Sequence, residues 1–84
     1  MGYKLLYTKS AAKDIQKLDT VVRKRLKSKL ETYASNPLFH AKKLIDFSLG
    51  TYRWMVGNYR IIFDIDRENI IILRVRHRRE IYRN

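Results

Sequence analysis

The second half of the chain is rich in arginine, whose planar guanidinium group can hold a phosphate through two hydrogen bonds at once. Eight of the ten arginines follow residue 50, whereas all nine lysines lie at or before Lys43. His77 and Tyr82 stand among the last arginines. Arginines can neutralise the charge that builds on a phosphate when a ribose 2′-hydroxyl attacks it, and a histidine or tyrosine can transfer the protons. These residues predict cleavage of RNA without a metal ion.

Other chemistries lack the residues that they need. The chain has no cysteine, which excludes disulfides and zinc sites built on thiolates. Neither paired carboxylates nor a His/Asp/Glu cluster occurs at metal-ligand spacing, so metal-dependent nuclease chemistry is disfavoured. With three glycines in 84 residues, the chain has no room for both a glycine-rich phosphate loop and a second domain. We therefore expect neither a metal nor any other cofactor.

Length and charge narrow the class of protein further. Residues 1–84 suffice for one small domain, and 19 basic residues against 8 acidic ones give a net charge of +11. A field of this sign attracts polyanions such as nucleic acids. No apolar run approaches the roughly 20 residues of a membrane span, and no signal peptide is visible. We therefore expect a cytoplasmic protein without membrane contact, although charge alone does not distinguish an RNA enzyme from a DNA-binding module.

The first half of the chain predicts a strand followed by two helices. Alternating residues indicate a strand over Tyr3–Thr8. Ser10 is a plausible N-cap for a first helix with apolar positions at 12, 15 and 18. Asp19 and Thr20 offer a second cap, and Ser35-Asn36-Pro37 ends the second helix because proline disfavours helical geometry in the residue before it. The apolar stripe of this second helix is Val22, Leu26, Leu30, Tyr33 and Ala34.

The second half of the chain predicts a β-sheet. Residues 38–49 are expected to form a loop or short turn, after which Tyr52–Val56 and Tyr59–Phe63 flank a Gly57-Asn58 pair that fits a two-residue hairpin turn. A last strand over Ile70–Arg76 follows a turn at residues 66–69. The order is therefore β-α-α-β-β-β. This is a single α+β domain in which a helical hairpin covers one face of a largely antiparallel sheet.

The hairpin register predicts which side chains share a face. With Gly57-Asn58 in the turn, Met55 lies opposite Arg60. The core face then carries Tyr52, Trp54, Val56, Tyr59, Ile61 and Phe63. The other face, called here the arginine face, carries Arg53, Met55, Arg60, Ile62 and Asp64.

The last strand can present either side to the core, depending on the length of the turn before it. A three-residue turn at Arg67-Glu68-Asn69 has Asn69 in the left-handed conformation. The residues that then point to the core are Ile71, Leu73 and Val75, and those that join the arginine face are Arg74, Arg76 and Arg78. A four-residue turn would bury Arg74 and Arg76, and the cost of burying charge favours the first register. Arginines gathered on one face repel one another unless an anion lies between them; the alternative is a solvated face on which they serve solubility.

The candidates for proton transfer also have structural alternatives. His77 can end the last strand and hydrogen-bond to the backbone, and Tyr82 can hold down the tail by packing. The aromatic residues of the hairpin are expected in the core rather than as base-stacking platforms, because the register turns them inward.

The stretch from Gly50 to Phe63, GTYRWMVGNYRIIF, followed by HRREIYR at residues 77–83, resembles the RelE-type toxins of bacterial and archaeal toxin-antitoxin systems. The Ser10-Ala11-Ala12-Lys13-Asp14-Ile15 stretch, Asn36-Pro37 and Lys43-Leu44 fit the same family, so the resemblance covers nearly the whole chain. It implies a RelE-like fold and a ribonuclease that enters the ribosomal A site and cuts mRNA by 2′-hydroxyl attack, leaving a 2′,3′-cyclic phosphate. It also implies a cognate antitoxin that wraps the toxin and blocks its site.

The resemblance implies roles for individual residues. Arg60 matches the family's phosphate-holding arginine after the hairpin turn, and Arg53 matches a basic residue on the preceding strand. Arg78 matches the arginine credited with stabilising charge or protonating the leaving group. Tyr82 matches the tyrosine credited with stacking on or activating the substrate, and His77 sits where members carry a histidine or lysine. The candidate RNA-binding residues around them are Lys42, Lys43, Arg74, Arg76, Arg79 and Arg83.

Two positions depart from the family pattern. Met55 stands where many members carry a second basic residue, so the general base must lie elsewhere. Arg76 replaces the glycine that many members carry before His77.

Two other classes of protein are compatible with this sequence. One is a ParE-like toxin, which shares the fold but binds and poisons DNA gyrase. The other is a basic module that binds RNA or DNA without chemistry. The set of Arg60, His77, Arg78 and Tyr82 favours RNA cleavage, because a gyrase poison needs no phosphate cluster.

Overall fold

The computed structural model describes residues 2–44 and 50–81. The described elements, in chain order, are β1 (Lys4–Tyr7), α1 (Lys9–Gln16), α2 (Thr20–Ala34), α3 (Pro37–His40), β2 (Lys42–Lys43), β3 (Tyr52–Val56), β4 (Tyr59–Asp66), β5 (Asn69–His77) and α4 (Arg78–Ile81). They form one five-stranded sheet in the order β1-β5-β4-β3-β2, with β1 parallel to β5 and the other neighbours antiparallel. The predicted α+β class is confirmed. None of the described helices is long and apolar enough to cross a membrane.

Helix α1 begins earlier than Ser10 predicts, because Thr8 is its N-cap. The Thr8 hydroxyl accepts the Ala11 N–H at 3.1 Å and donates to the Leu73 carbonyl of β5 at 3.0 Å. The prediction was wrong because this second bond depends on a strand far along the chain. Ala11 is consequently the fully buried alanine of the helix, whereas Ala12 is exposed.

Helix α2 has the predicted limits and the predicted buried side. Asp19 caps it by accepting the Val22 N–H at 2.9 Å. Leu26 and Leu30 are each 1% exposed and pack with the core face of the sheet. The predicted second helix is therefore confirmed.

The predicted loop after α2 contains two short elements instead. Pro37 starts α3, where its fixed φ suits the first turn. The Trp54 indole N–H donates to the Pro37 carbonyl at 3.0 Å, and Leu44 N–H donates to the Thr51 carbonyl at 2.8 Å, which sets β2 beside β3. The prediction of an irregular loop is wrong for residues 38–44, and its remainder, residues 45–49, lies outside the described residues.

The β3–β4 hairpin has the predicted register. Val56 pairs with Tyr59 and Trp54 pairs with Ile61, so Gly57 and Asn58 form the turn. Gly57 has a φ of 59°, a left-handed value that favours glycine. On the predicted core face Trp54, Ile61 and Phe63 are fully covered, and Tyr52 and Tyr59 are partly buried against them.

The β4–β5 connection differs from the predicted three-residue turn. Asp66 pairs with Asn69, so the turn has two residues, and Arg67 rather than Asn69 takes the left-handed φ, at 57°. With this register the buried residues at the start of β5 are Ile70 and Ile72, and not Ile71 and Leu73.

A β-bulge then restores the predicted parity for the rest of β5. Phe63 pairs with Ile72, but the preceding Ile62 pairs with Arg74, so Leu73 is the extra residue. Val75 is therefore buried in the core, as predicted. Arg74 and Arg76 consequently lie on the arginine face, but because of a bulge and not because of the turn.

The arginine face also carries one buried apolar residue. Ile62 belongs to this face and is only 2% exposed. A Cβ atom added to Gly50 would lie 2.5 Å from Ile62 Cγ2 and 3.0 Å from Leu73 Cδ1, and Gly50 has a φ of 150°. The backbone at Gly50 therefore packs closely over Ile62.

Candidate active site

Two rows of basic side chains cross the arginine face. In one row Arg60 of β4 lies directly opposite Arg76 of β5, with Met55 of β3 on its other side. In the next row Lys42 of β2 pairs with Arg53 of β3. Residues directly opposite each other in such a ladder have Cβ atoms about 5 Å apart. The sheet thus brings together three of the predicted arginines and one predicted lysine.

The pairing of Arg60 with Arg76 favours a bound anion. Both side chains are half-buried, and like charges placed directly opposite each other destabilise a sheet. Asp64, the acidic residue predicted on this face, accepts the Thr51 N–H at 2.7 Å. A phosphodiester between the two guanidinium groups would offset both positive charges through paired hydrogen bonds.

Arg74 is turned toward the edge of the sheet. Its guanidinium donates to both carboxylate oxygens of Asp14 on α1, at 2.8 and 3.1 Å, and the same carboxylate accepts the Val75 N–H at 2.9 Å. Burial by itself would raise the pKa of Asp14, but these hydrogen bonds and the charges of Arg74 and Arg76 outweigh it and hold the pKa below its ordinary value. Arg74, predicted to bind RNA, therefore holds α1 against β5.

His77 lies on the opposite side of the sheet from Arg60. It pairs with Tyr59 of the core face, and the two rings meet edge to face with centroids 5.2 Å apart. His77 Nδ1 accepts the Arg79 N–H at 3.2 Å, so Nε2 carries the proton in the neutral ring. This is the structural alternative of a histidine that ends the strand and bonds to the backbone. The sequence grouped His77 with the arginines, whereas its place in the ladder puts it on the core face of the sheet, beside Tyr59.

The remaining predicted residues are dispersed. Arg78 N–H donates to the Asn58 carbonyl at 2.7 Å, which fixes the start of α4 beside the hairpin turn. Arg78 and Arg79 are exposed. Lys43 pairs with Tyr52 and therefore points away from the arginine face. The predictions for Tyr82 and Arg83 fall outside the described residues.

Asp14 positions β5 beside the site, a role that was not predicted from the sequence. The signal was its spacing, because positions 11, 14, 15 and 18 recur at helical period and place Asp14 among the inward-facing residues of α1. A carboxylate on the inward side of a helix needs a partner, and the arginine-rich last strand offers one.

Within residues 2–44 and 50–81, no group of three or more His, Cys, Asp or Glu side chains is placed to hold a metal ion.

A protein-family model matches nearly the whole chain. It describes the ParE toxin of type II toxin-antitoxin systems, parDE, and matches residues 5–82. The chain therefore belongs to the RelE/ParE superfamily of toxins from type II toxin-antitoxin systems.

Individual relatives carry RelE-type names. The chain is 39% identical over 83 residues to Toxin RelE3 of Methanocaldococcus jannaschii, an alignment that covers 94% of each chain. It is 33% identical over 86 residues to Toxin RelG of Mycobacterium tuberculosis, covering 99% of each. In the crystal structure of the toxin-antitoxin complex RelBE2 from M. tuberculosis, one chain matches with a TM-score of 0.82 at 28% identity, covering 92% of this chain and 99% of that one. The RelE-like fold implied by the resemblance is confirmed.

Proposed function

We propose that this toxin is an endoribonuclease that cuts mRNA on the ribosome without a metal ion. The observation that supports this most is the Arg60–Arg76 pair, two half-buried basic residues directly opposite each other on one sheet face. Two guanidinium groups on directly opposite residues can take a phosphodiester between them and neutralise the charge that develops in the transition state. The RelE-type names of its relatives agree with this chemistry.

The proposed reaction is a transesterification within the RNA strand. The 2′-hydroxyl loses its proton and attacks the adjacent phosphorus, and the bond from phosphorus to the 5′-oxygen of the next nucleotide breaks. That oxygen takes up a proton, so the products are a 2′,3′-cyclic phosphate and a 5′-hydroxyl. Arg60 and Arg76 hold the phosphate, Arg53 and Lys42 hold the neighbouring strand, and Arg78 stabilises the charge on the leaving oxygen.

Proton transfer is assigned to Tyr82. Met55 has no basic group, His77 lies across the sheet from Arg60, and Asp64 already accepts the Thr51 N–H. Positive charge beside a phenol favours its ionised form, which would suit a general base, and Arg79 and Arg83 are close to Tyr82 in the sequence. Tyr82→Phe separates this role from stacking, since cleavage should fall strongly if the hydroxyl acts and only slightly if the ring alone is needed.

The ribosome supplies what the small domain lacks. A domain of this size presents one face of a single sheet, which is too small to enclose a nucleic acid strand. An mRNA held in the ribosomal A site would be presented to this face in a fixed conformation, which lowers the entropic cost of reaction. We therefore place the activity in the cytoplasm.

Primer extension on mRNA from cells that express the toxin tests this function. Discrete cuts within translated codons are expected for the wild type and are expected to disappear for Arg60→Ala. Arg25→Ala is the matched control, because it removes the same charge from an exposed position on α2. Intact mRNA with continued translation would exclude the proposal.

A second candidate function is binding and poisoning of DNA gyrase. Two observations favour it: the matching family model describes a ParE toxin, and neither Met55 nor His77 supplies a base on the arginine face. A supercoiling assay with purified gyrase distinguishes the two functions. Inhibition of gyrase by the wild type together with uncut mRNA would select this second candidate.

We also infer a cognate antitoxin as the partner. A groove of about 450 Å³ lies between β1, α1 and α2, lined by Tyr7, Ala12, Ile15, Leu26 and Leu30 and flanked by Arg23 and Lys27. Tyr7 is 43% exposed and adds an aromatic surface beside the groove. An apolar antitoxin segment with acidic flanks fits this surface, and related toxins have been crystallised with RelB.

Co-purification with the product of the neighbouring gene tests the antitoxin interface. Ala12 is exposed on the rim of the groove, so Ala12→Glu should weaken the complex by placing a charge against an apolar segment. Ser28→Glu introduces the same charge at an exposed position of α2 and should leave the complex intact. Equal retention of both variants would place the antitoxin elsewhere.

A further inference from the structure

A separate cavity, called here the edge cavity, opens on the helix side of β5. Among the described strands β1 covers β5 only as far as the pair Tyr7–Ile72, so the last residues of β5 lie at a sheet edge. The cavity measures about 410 Å³, within the range of small-ligand sites. Its lining includes Asp14, Lys17, Leu18, Tyr59, Arg76 and His77.

The walls of the edge cavity combine aromatic rings with a hydrogen-bond donor. Tyr59 and His77 meet edge to face at 5.2 Å, and Leu18 of the α1–α2 connection adds an apolar surface. Aromatic side chains of this kind stack with nucleic acid bases in a sequence-tolerant way. Because His77 Nδ1 accepts the Arg79 N–H, the neutral ring keeps an N–H donor at Nε2.

The charge of the edge cavity suits a phosphate. Lys17 is exposed at its rim, and Arg74 and Arg76 also line it. The opposing charge is that of Asp14, whose two oxygens already accept three hydrogen bonds from Arg74 and Val75. With Arg74 paired to Asp14, Lys17 and Arg76 give the described lining a positive balance.

We propose that the edge cavity binds one nucleotide of an RNA strand that crosses the free edge of β5 from the arginine face. Arg76 connects the two sites, because it lies opposite Arg60 in the ladder and also lines the cavity. His77, the next residue, faces the cavity side of the strand. The inference rests on the proposed function for the position of the scissile phosphate, and it assigns His77 and Tyr59 to the binding of a neighbouring nucleotide.

Titration of the full-length protein with a 2′-O-methyl RNA trinucleotide, which lacks the attacking hydroxyl, tests this site by amide NMR. We expect the signals of Leu18 and Val75 to shift on binding. Lys17→Glu should raise the dissociation constant at least about fivefold, by loss of one phosphate contact and addition of a repulsive charge. Lys24→Glu makes the same charge change at an exposed position of α2 outside the cavity. It should raise the dissociation constant by less than about half as much as Lys17→Glu does.

Two outcomes would overturn the proposal: unshifted Leu18 and Val75 signals at saturation, or equal weakening by Lys17→Glu and Lys24→Glu. Lys17→Ala is a milder change at the same exposed residue and serves as a control for a folding defect in Lys17→Glu. It should also weaken RNA binding more than Lys24→Ala does. A parallel mRNA cleavage assay keeps the two proposals distinct. Shifted signals with uncut mRNA would reject the nuclease function and keep the edge cavity, whereas cleavage with unshifted signals would reject the edge cavity alone.

Discussion

Asp14 of α1 is joined to Arg74 of β5 by two hydrogen bonds, at 2.8 and 3.1 Å, and its carboxylate also accepts the Val75 N–H. Among the described strands β1 has already ended at this point, so the carboxylate takes the place of a missing neighbour at the sheet edge. The contact holds β5 in place at Arg74, which is two residues before Arg76. It therefore supports the placement of Arg76 opposite Arg60.

Loss of the Asp14 carboxylate should destabilise the fold. Asp14→Ala leaves the Val75 N–H without its acceptor at a partly buried edge, and we expect the free energy of unfolding to fall by about 2 kcal/mol. Asp66→Ala, at an exposed position near the end of β4, should change it by less than about 0.5 kcal/mol. Urea denaturation of both variants measures the difference. Equal stability of Asp14→Ala and wild type would contradict the role assigned to this carboxylate.

The same contact predicts sensitivity to acid. Folding holds the pKa of Asp14 below its ordinary value, so the resulting stability is present above that ordinary value and is lost as the pH falls through the folded-state pKa. We expect the unfolding free energy of the wild type to decline below about pH 4. Asp14→Asn should lose less over the same range, because it has no carboxylate to protonate at this position. Parallel pH profiles of the two proteins would show that other groups cause the decline.

Two glycines should differ in their tolerance of a methyl group. At Gly57 an added Cβ meets nothing within 4 Å, so Gly57→Ala carries only the cost of its left-handed φ, about 1 kcal/mol. Gly50→Ala adds a contact of 2.5 Å with Ile62 Cγ2 and should cost about 2 kcal/mol or more. Gly2→Ala, in open space, serves as the control. Thermal unfolding that ranks Gly57→Ala below Gly50→Ala in stability would contradict the packing described at Ile62.

Local sequence signals predicted the parts of the fold that depend on neighbouring residues. The Gly57-Asn58 pair determines the hairpin register because few residues adopt the backbone angles of a two-residue turn. The apolar period of α2 predicted its buried stripe, and Asp19 predicted its start. These features need no information from distant strands.

Features set by tertiary contact could not be predicted in this way. Thr8 and Ser10 are equally suitable caps in the sequence, and only the Leu73 carbonyl of β5 selects Thr8. The bulge at Leu73 has no glycine or other local marker, although it decides that Arg76 faces Arg60 while His77 does not. The sequence therefore predicted that Arg60 and Arg76 share a sheet face, but not that His77 belongs to the opposite face.

Single-turnover cleavage of a defined mRNA on purified ribosomes is the most direct test of the Arg60–Arg76 pair as a phosphate-binding catalytic site. We predict that the wild type cuts within the A-site codon and leaves a 2′,3′-cyclic phosphate. Arg60→Ala and Arg76→Ala should each lower the rate about 100-fold or more, as expected for loss of one group that stabilises transition-state charge. Arg25→Ala should cleave at a rate within about twofold of wild type, as a surface change remote from the site. Wild-type rates for Arg60→Ala and Arg76→Ala would contradict this assignment.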